Sequence, residues 1–88
     1  MKHEFHYVYV LKSLRDGQLY TGYSSDLRAR FAAHQAGKVP STQGRLPVAL
    51  VYYEACRSQA DATQREKYLK TAWGKRYLKG RLQDYLTG

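Results

Sequence analysis

Two short runs of tyrosine and β-branched residues flank Asp16-Gly17, and this arrangement constrains the chain more than any other feature. Residues 5 to 12 alternate aromatic and β-branched side chains, the period-two pattern of a strand. Asp16-Gly17 is a strong hairpin turn, and residues 18 to 23 return as a second strand. A two- or four-residue turn centred on Asp16-Gly17 makes facing residue numbers sum to 33. Tyr20 is then expected opposite Ser13, and Gly22 opposite Leu11. Because side chains alternate between the two faces, Tyr7, Tyr9, Tyr20 and Gly22 share one face of the ribbon. Gly22, having no side chain, leaves open space on that face.

Downstream, Ser24, Ser25 or Asp26 can cap a helix running to about Ala36, where Gly37 ends it. Leu27 and Phe31 form its apolar stripe. Arg30 and His34, four residues apart, border that stripe and can lean towards the sheet. Gly37 to Pro47 reads as a basic, mobile flap. Val48 to Ala55 is a third strand, and its nearly continuous apolar run suggests a central or well-covered position. Ser58-Gln59-Ala60-Asp61 is a capping-box variant that opens a helix of about four turns to Trp73, ended by Gly74. Trp73 is expected in the core. Tyr77 to Leu86 forms a last helix with Leu78, Leu82 and Tyr85 facing inward. The order ββαβαα predicts an α/β chain of the α+β kind, a small three-stranded antiparallel sheet flanked by helices. At 88 residues this is expected to be one domain spanning 1–88.

The formal charge of +8 and a pI near 9.8 favour a polyanionic partner, and nucleic acid is the expected one. The lone Cys56 excludes an intramolecular disulfide and fits a reducing cytoplasm, where it reads as a core thiol. The start, Met1-Lys2-His3-Glu4-Phe5, carries an acid where a signal peptide would be basic. The apolar run Tyr7 to Leu11 is too short to span a membrane. The expectation is a cytoplasmic monomer without a membrane partner.

Seven carboxylates limit what chemistry the chain can do. Asp16 belongs to the turn, Asp26 and Asp61 sit at helix starts, Asp84 lies in the last helix and Glu4 precedes the first strand. Glu54 and Glu66 remain. Glu66 falls on a stripe with Ala62, Leu69 and Trp73, where a carboxylate is costly unless it is paired or holds a metal. Lys70, one turn on, is the alternative partner. Glu54 reads as a strand-end charge. A two-metal nuclease needs several converging acids, and these are absent. His3-x-x-His6 is a weak metal signal, and no Cys/His zinc spacing or phosphate-binding glycine loop is present. One-metal phosphodiester hydrolysis remains open. Glu66 would hold the ion, Arg30 would offset charge growing at phosphorus, and Tyr9 or Tyr20 would take a proton from water.

Tyr7-Val8-Tyr9 and Tyr20-Thr21-Gly22 resemble the two halves of the GIY-YIG motif. The eleven-residue spacing from Tyr9 to Tyr20, Arg30 ten residues further and a late glutamate also fit, so the resemblance covers about Phe5 to Lys75. The chain most resembles the small stand-alone bacterial members of that endonuclease superfamily. The resemblance implies that Tyr9 and Tyr20 are the motif tyrosines, Gly22 the motif glycine, Arg30 the catalytic arginine and Glu66 the metal ligand. His34 matches a histidine that some members place in the site. Tyr7 stands where the motif's first glycine would be, and Tyr23 where some members carry lysine. The base is then Tyr9, Tyr20 or His34.

What this implies is a DNA endonuclease dependent on one Mg²⁺ or Mn²⁺ ion. Tyr7, Gly22, Tyr23, Arg28, Lys38 and Arg45 are expected to contact the DNA. No separate reading domain is visible, and nine tyrosines on a basic chain suit exposed bases, so single-stranded or branched DNA is expected over plain duplex. The alternatives are a binding module that grips nucleic acid without cutting, and a nuclease subunit that needs a protein partner. Lys70, Lys75, Arg76, Lys79 and Arg81 form the densest basic stretch, either a solvated face or a backbone holder.

Overall fold

A computed structural model describes residues 4–88. His3 therefore lies outside the described residues, and with it the His3-x-x-His6 pair. Three antiparallel strands, β1 (His6–Ser13), β2 (Leu19–Ser24) and β3 (Val48–Cys56), form one sheet in the order β2-β1-β3. The helices are α1 (Leu27–Gln35), α2 (Pro40–Gln43), α3 (Gln59–Leu69), α4 (Ala72–Arg81) and α5 (Gln83–Thr87). The expected α+β sheet with flanking helices is the one observed, with two short helices, α2 and α5, added to the order.

The β1–β2 register differs from expectation. Facing residues sum to 31, pairing Tyr9 with Gly22 and Leu11 with Tyr20. The cause lies in the turn. The reversal is the four-residue loop Leu14–Gly17, centred one residue earlier than Asp16-Gly17. Ser13 N–H donates to Gln18 O at 2.9 Å, and Gly17, at φ +75°, donates to Ser13 O at 2.8 Å. The Ser13 hydroxyl accepts from Arg15 and Asp16 N–H groups, and Asp16 Oδ1 accepts from Gln18 N–H. A shift of two preserves the alternation of faces, so Tyr7, Tyr9, Tyr20 and Gly22 do share one face.

β1 is the central strand and β3 an edge, so of the two positions expected from its apolar run the central one is not observed. Helices on both sides explain that composition. Val8, Val10, Ala62, Leu69 and Leu78 close one layer with Leu19, Tyr23, Val51 and Tyr52 against α3 and α4. Tyr9, Leu11 and Val48 close the other with Leu27, Phe31, Leu46 and Leu50 against α1. Each fully buried side chain of this size contributes about 1.5–3 kcal/mol.

Gly37 to Pro47 is not a loose flap. Pro40 opens α2, and Val39 and Thr42 are buried. The hairpin holds the rest: Ser13 Oγ donates to Arg45 O at 2.7 Å, and Leu14 N–H to Pro47 O at 2.8 Å. α3 starts at its Ser58 cap as expected but ends at Leu69, short of Trp73. Thr71 accepts from Gly74 N–H at 3.1 Å and starts α4, so Gly74 lies inside a helix. Trp73 is 68% exposed rather than core, with the Arg76 guanidinium over its ring. Leu78 and Leu82 face inward as expected, whereas Tyr85 is exposed. Cys56 is half-buried beside the first core layer, its thiol donating to Ser58 O.

Candidate active site

Gly22 determines where the tip of Tyr9 sits. The two residues face each other across β1 and β2, and a Cβ on Gly22 would lie 2.5 Å from both Cζ and Oη of Tyr9. The space left by the missing side chain is thus filled by the Tyr9 hydroxyl. Asp26 caps α1 by accepting from Ala29 N–H at 3.1 Å. The helix then places Leu27 and Phe31 on the sheet and brings Arg30 and His34 to Tyr9. Tyr9 Oη lies 2.8 Å from His34 Nε2, and Arg30 Nε donates to it at 3.4 Å. Tyr20, half-buried, stands beside both rings, with centroids 6.4 Å from Tyr9 and 5.3 Å from His34. The Tyr20 hydroxyl also interacts with the Arg30 guanidinium.

The direction of these hydrogen bonds follows from what each group can do. Arginine only donates, so Tyr9 Oη accepts from it. The phenol's own proton then has His34 Nε2 as its acceptor, which assigns the other proton to Nδ1 of the neutral ring. Nδ1–H points at Thr42 Oγ1, 2.7 Å away on α2. Nothing in the sequence marked Thr42, because it lay in the supposed flap. The result is a line of donors from Tyr9 through His34 to Thr42, all three fully buried.

Burial, and then the Arg30 charge, hold the His34 pKa below its ordinary value, which keeps the ring neutral. Burial also raises the Tyr9 phenol. The Arg30 hydrogen bond opposes that rise, and the Glu66 charge adds to it. The Tyr9 hydrogen bond raises Arg30, so the guanidinium stays charged. The His34 shift has a consequence for stability. A depressed folded pKa means that the unfolded chain takes up a proton first as pH falls. Stability is therefore expected to fall as pH drops below the ordinary histidine value, and to level off once the folded state also protonates. Urea unfolding at a series of pH values should show this slope, and His34→Gln should flatten it.

Glu66 projects from α3 on the stripe with the buried Ala62 and Leu69. Its side chain is 22% exposed and paired with Lys70 Nζ at 3.0 Å. Its charge reaches Tyr9, where it is one of the influences on the phenol. Among the described residues no three His, Cys, Asp or Glu side chains gather as metal ligands. Glu54 is not a lone strand-end charge. Arg65 holds both its oxygens at 2.9 Å, and the Tyr52 hydroxyl donates to it at 2.7 Å. That network lies on the α3 face of the sheet, away from Tyr9.

The expected contact residues divide. Tyr7, Gly22 and Arg28 lie on the Tyr9 face, where Tyr7 and Arg28 flank a cleft between α1 and β3. Tyr23 turns to the other face, where it bonds His6 Nδ1 at 2.6 Å. Arg45 sits near Asp16 at the hairpin end, and Lys38 is exposed past the end of α1. Lys70, Lys75 and Lys79 line a cleft of about 610 Å³ that extends along β2 and includes Tyr20. No described helix is long and apolar enough to cross a membrane.

Comparison with known proteins identifies the family. The family model described as "GIY-YIG catalytic domain" matches residues 5–81. A UPF0213 protein of Staphylococcus haemolyticus is 48% identical over 67 residues, covering 75% of this chain and 80% of its own length. One from Natronomonas pharaonis is 48% identical over 67 residues, covering 75% and 78%. The solution NMR structure of a UPF0213 protein from Bacillus halodurans superposes with a TM-score of 0.52 at 38% identity, over 84% of this chain and 81% of that one. The chain belongs to the GIY-YIG domain family, alongside its small UPF0213 members.

Proposed function

We propose that this chain is a metal-dependent DNA endonuclease that hydrolyses phosphodiester bonds in single-stranded or branched DNA. The observation that carries the reading is the convergence of Tyr9, Tyr20, Arg30 and His34 at one point of the sheet, within reach of the Glu66 charge. Two phenols, one fixed cation and a neutral imidazole are the parts of a hydrolytic site for a phosphate ester.

The reacting water enters from the side of Tyr20 and the exposed Arg30, whose long 3.4 Å contact to Tyr9 gives way so that the water reaches the otherwise enclosed Oη. Its proton passes to Tyr9 Oη as the phenol proton passes to His34 Nε2. The water oxygen bonds to phosphorus and the bond to the leaving oxygen breaks. His34 suits the acceptor role because it is held neutral, and Thr42 keeps its other nitrogen occupied. Arg30, charged and exposed to the site, offsets the charge on the phosphate oxygens. Glu66 fits a hard divalent ion of the Mg²⁺ kind, which binds one or two carboxylates and completes its shell with water and substrate oxygens. When bound, Mg²⁺ or Mn²⁺ supplies Lewis acidity at a phosphate oxygen and at the leaving oxygen.

The charge of +8 and the exposed rings of Tyr53, Tyr68 and Trp73 support a substrate with unstacked bases. End-labelled single-stranded, duplex and flap oligonucleotides incubated with Mg²⁺, Mn²⁺ or EDTA test the proposal. Cutting that requires the ion and is faster on single-stranded or flap DNA is expected. Salt-sensitive binding with no cutting in any condition would overturn the catalytic reading. Faster duplex cutting would overturn the substrate.

A further inference from the structure

We infer that the cleft between α1 and β3 is a nucleobase pocket, taking one unpaired base of the substrate strand beside the scissile phosphate. The inference rests on the endonuclease reading and adds what selects the strand. The cleft encloses about 450 Å³, within the range of small-molecule sites. Its floor is apolar, from Leu27, Phe31 and Leu50, and its walls are Tyr7 and Tyr53. These two rings meet edge to face, 6.0 Å apart at 61°. Tyr53 is 54% exposed, a large ring offered to solvent on an edge strand. Arg28 stands at the rim, and a guanidinium there suits the phosphate that follows the buried base.

Placement argues for a base of the same strand that is cut. Tyr7 lies two residues before Tyr9 on the same face of β1, about 7 Å along the strand. α1 runs beside it, with Leu27 and Phe31 lining the cleft and Arg30 and His34 at Tyr9. A base stacked on the exposed ring of Tyr53, in the cleft beside Tyr7, is thus a near neighbour of the phosphate at Arg30. A paired base would first have to leave its stack, at a cost of a few kcal/mol that an unpaired base avoids. The pocket therefore favours single strands without any sequence-reading element.

Two arms test the pocket with wild type, Tyr53→Leu and Tyr53→Trp, each checked for native circular dichroism. Leucine keeps an apolar strand residue and removes the ring, and Tyr53 is not part of the Tyr9 cluster. In EDTA, binding of a base-bearing single strand is compared with an all-abasic strand of equal length. Wild type is expected to prefer the base-bearing strand, Tyr53→Leu to lose about 5- to 100-fold of that preference, and Tyr53→Trp to keep it. With Mg²⁺, an end-labelled strand carrying one abasic nucleotide should show a gap in its cutting pattern beside that nucleotide. Tyr53→Leu should fill the gap. Unchanged preference in Tyr53→Leu, or cutting by wild type with no gap, would overturn the pocket while leaving the endonuclease reading intact. A preference lost in Tyr53→Leu supports the pocket even where no cutting is seen, and in that case only the endonuclease reading fails.

Discussion

Gly74→Ala is expected to destabilise the protein more than any other single methyl group would, lowering the melting temperature by about 12–24 °C. A Cβ at this position would overlap the Tyr68 carbonyl oxygen and the Leu69 Cα. Both are backbone atoms, and the turn that carries them cannot easily yield. Thr71 N–H donates to Tyr68 O at 3.0 Å, and the Thr71 hydroxyl donates to the same oxygen at 2.6 Å. Thr71 also caps α4 through Gly74 itself. Moving α4 away would open the layer where Leu69 and Leu78 pack. Overpacking of this kind costs about 3 kcal/mol, the upper end of the usual range, or more. At about 4–8 °C per kcal/mol for a domain of this size, that cost gives the shift above. Gly80, in the same helix, provides the control. It is exposed, and a Cβ there would meet nothing within 4 Å. Gly80→Ala should stabilise by about 0.5–1 kcal/mol through helix propensity alone. Thermal unfolding of the two variants beside the parent checks both signs. A Gly74→Ala protein melting within a few degrees of the parent would show that α3 and α4 do not approach so closely.

Gly74 lies inside α4, where sequence pattern alone points to a helix end. After a helical stripe, Gly74 looked like a terminator, because glycine is more often found past a helix end than inside one. The real boundary signal was Thr71, three residues earlier, a cap that a window centred on hydrophobic spacing passes over. Trp73 was carried along by the same error. It fell on the stripe of Ala62 and Leu69, but a new helix axis begins between them and turns its ring outward. β3 misled for another reason. A helix on each side of a small sheet makes an edge strand as apolar as a central one, and only the pairing order distinguishes them.

The parts of the site that were legible are those held by local rules. Parity along β1 and β2 places Tyr9, Tyr20 and Gly22 together for any turn of even length, so a register error of two left the face intact. The spacing of four between Arg30 and His34 brings them to one side of α1, and both reach Tyr9. What was not legible depends on long-range contacts. Thr42 lies eight residues beyond His34 in a stretch with Gly, Pro and polar residues, and only folding of α2 against α1 makes it a hydrogen-bond partner. Glu54 looked idle because Arg65 is eleven residues away on another element. Tyr53 carried no signal in the sequence, since its exposure depends on β3 lying at the sheet edge.

Glu66→Ala is expected to reduce cleavage at saturating Mg²⁺ by about 10²–10³-fold, the scale set by losing several kcal/mol of charge stabilisation at the phosphate. Lys70→Ala should behave differently, and the contrast tests what the carboxylate is for. Lys70 neutralises Glu66 at 3.0 Å, with the lysine side chain 52% exposed. An ion pair so open to water contributes about 0.2–1 kcal/mol. A divalent ion arriving at Glu66 must displace that ammonium. Removing Lys70 therefore favours the ion, and the Mg²⁺ concentration for half-maximal cutting should fall by about 1.5- to 5-fold, the factor those energies convert to. The titration is run at saturating oligonucleotide, because Lys70 also lines the lysine cleft along β2 and its loss should weaken DNA binding. Full activity in Glu66→Ala would remove the carboxylate from the chemistry altogether. Loss of cutting in both variants, with native circular dichroism, would mean that Glu66 and Lys70 act as one charged unit on the substrate rather than as a ligand and its resting counterion.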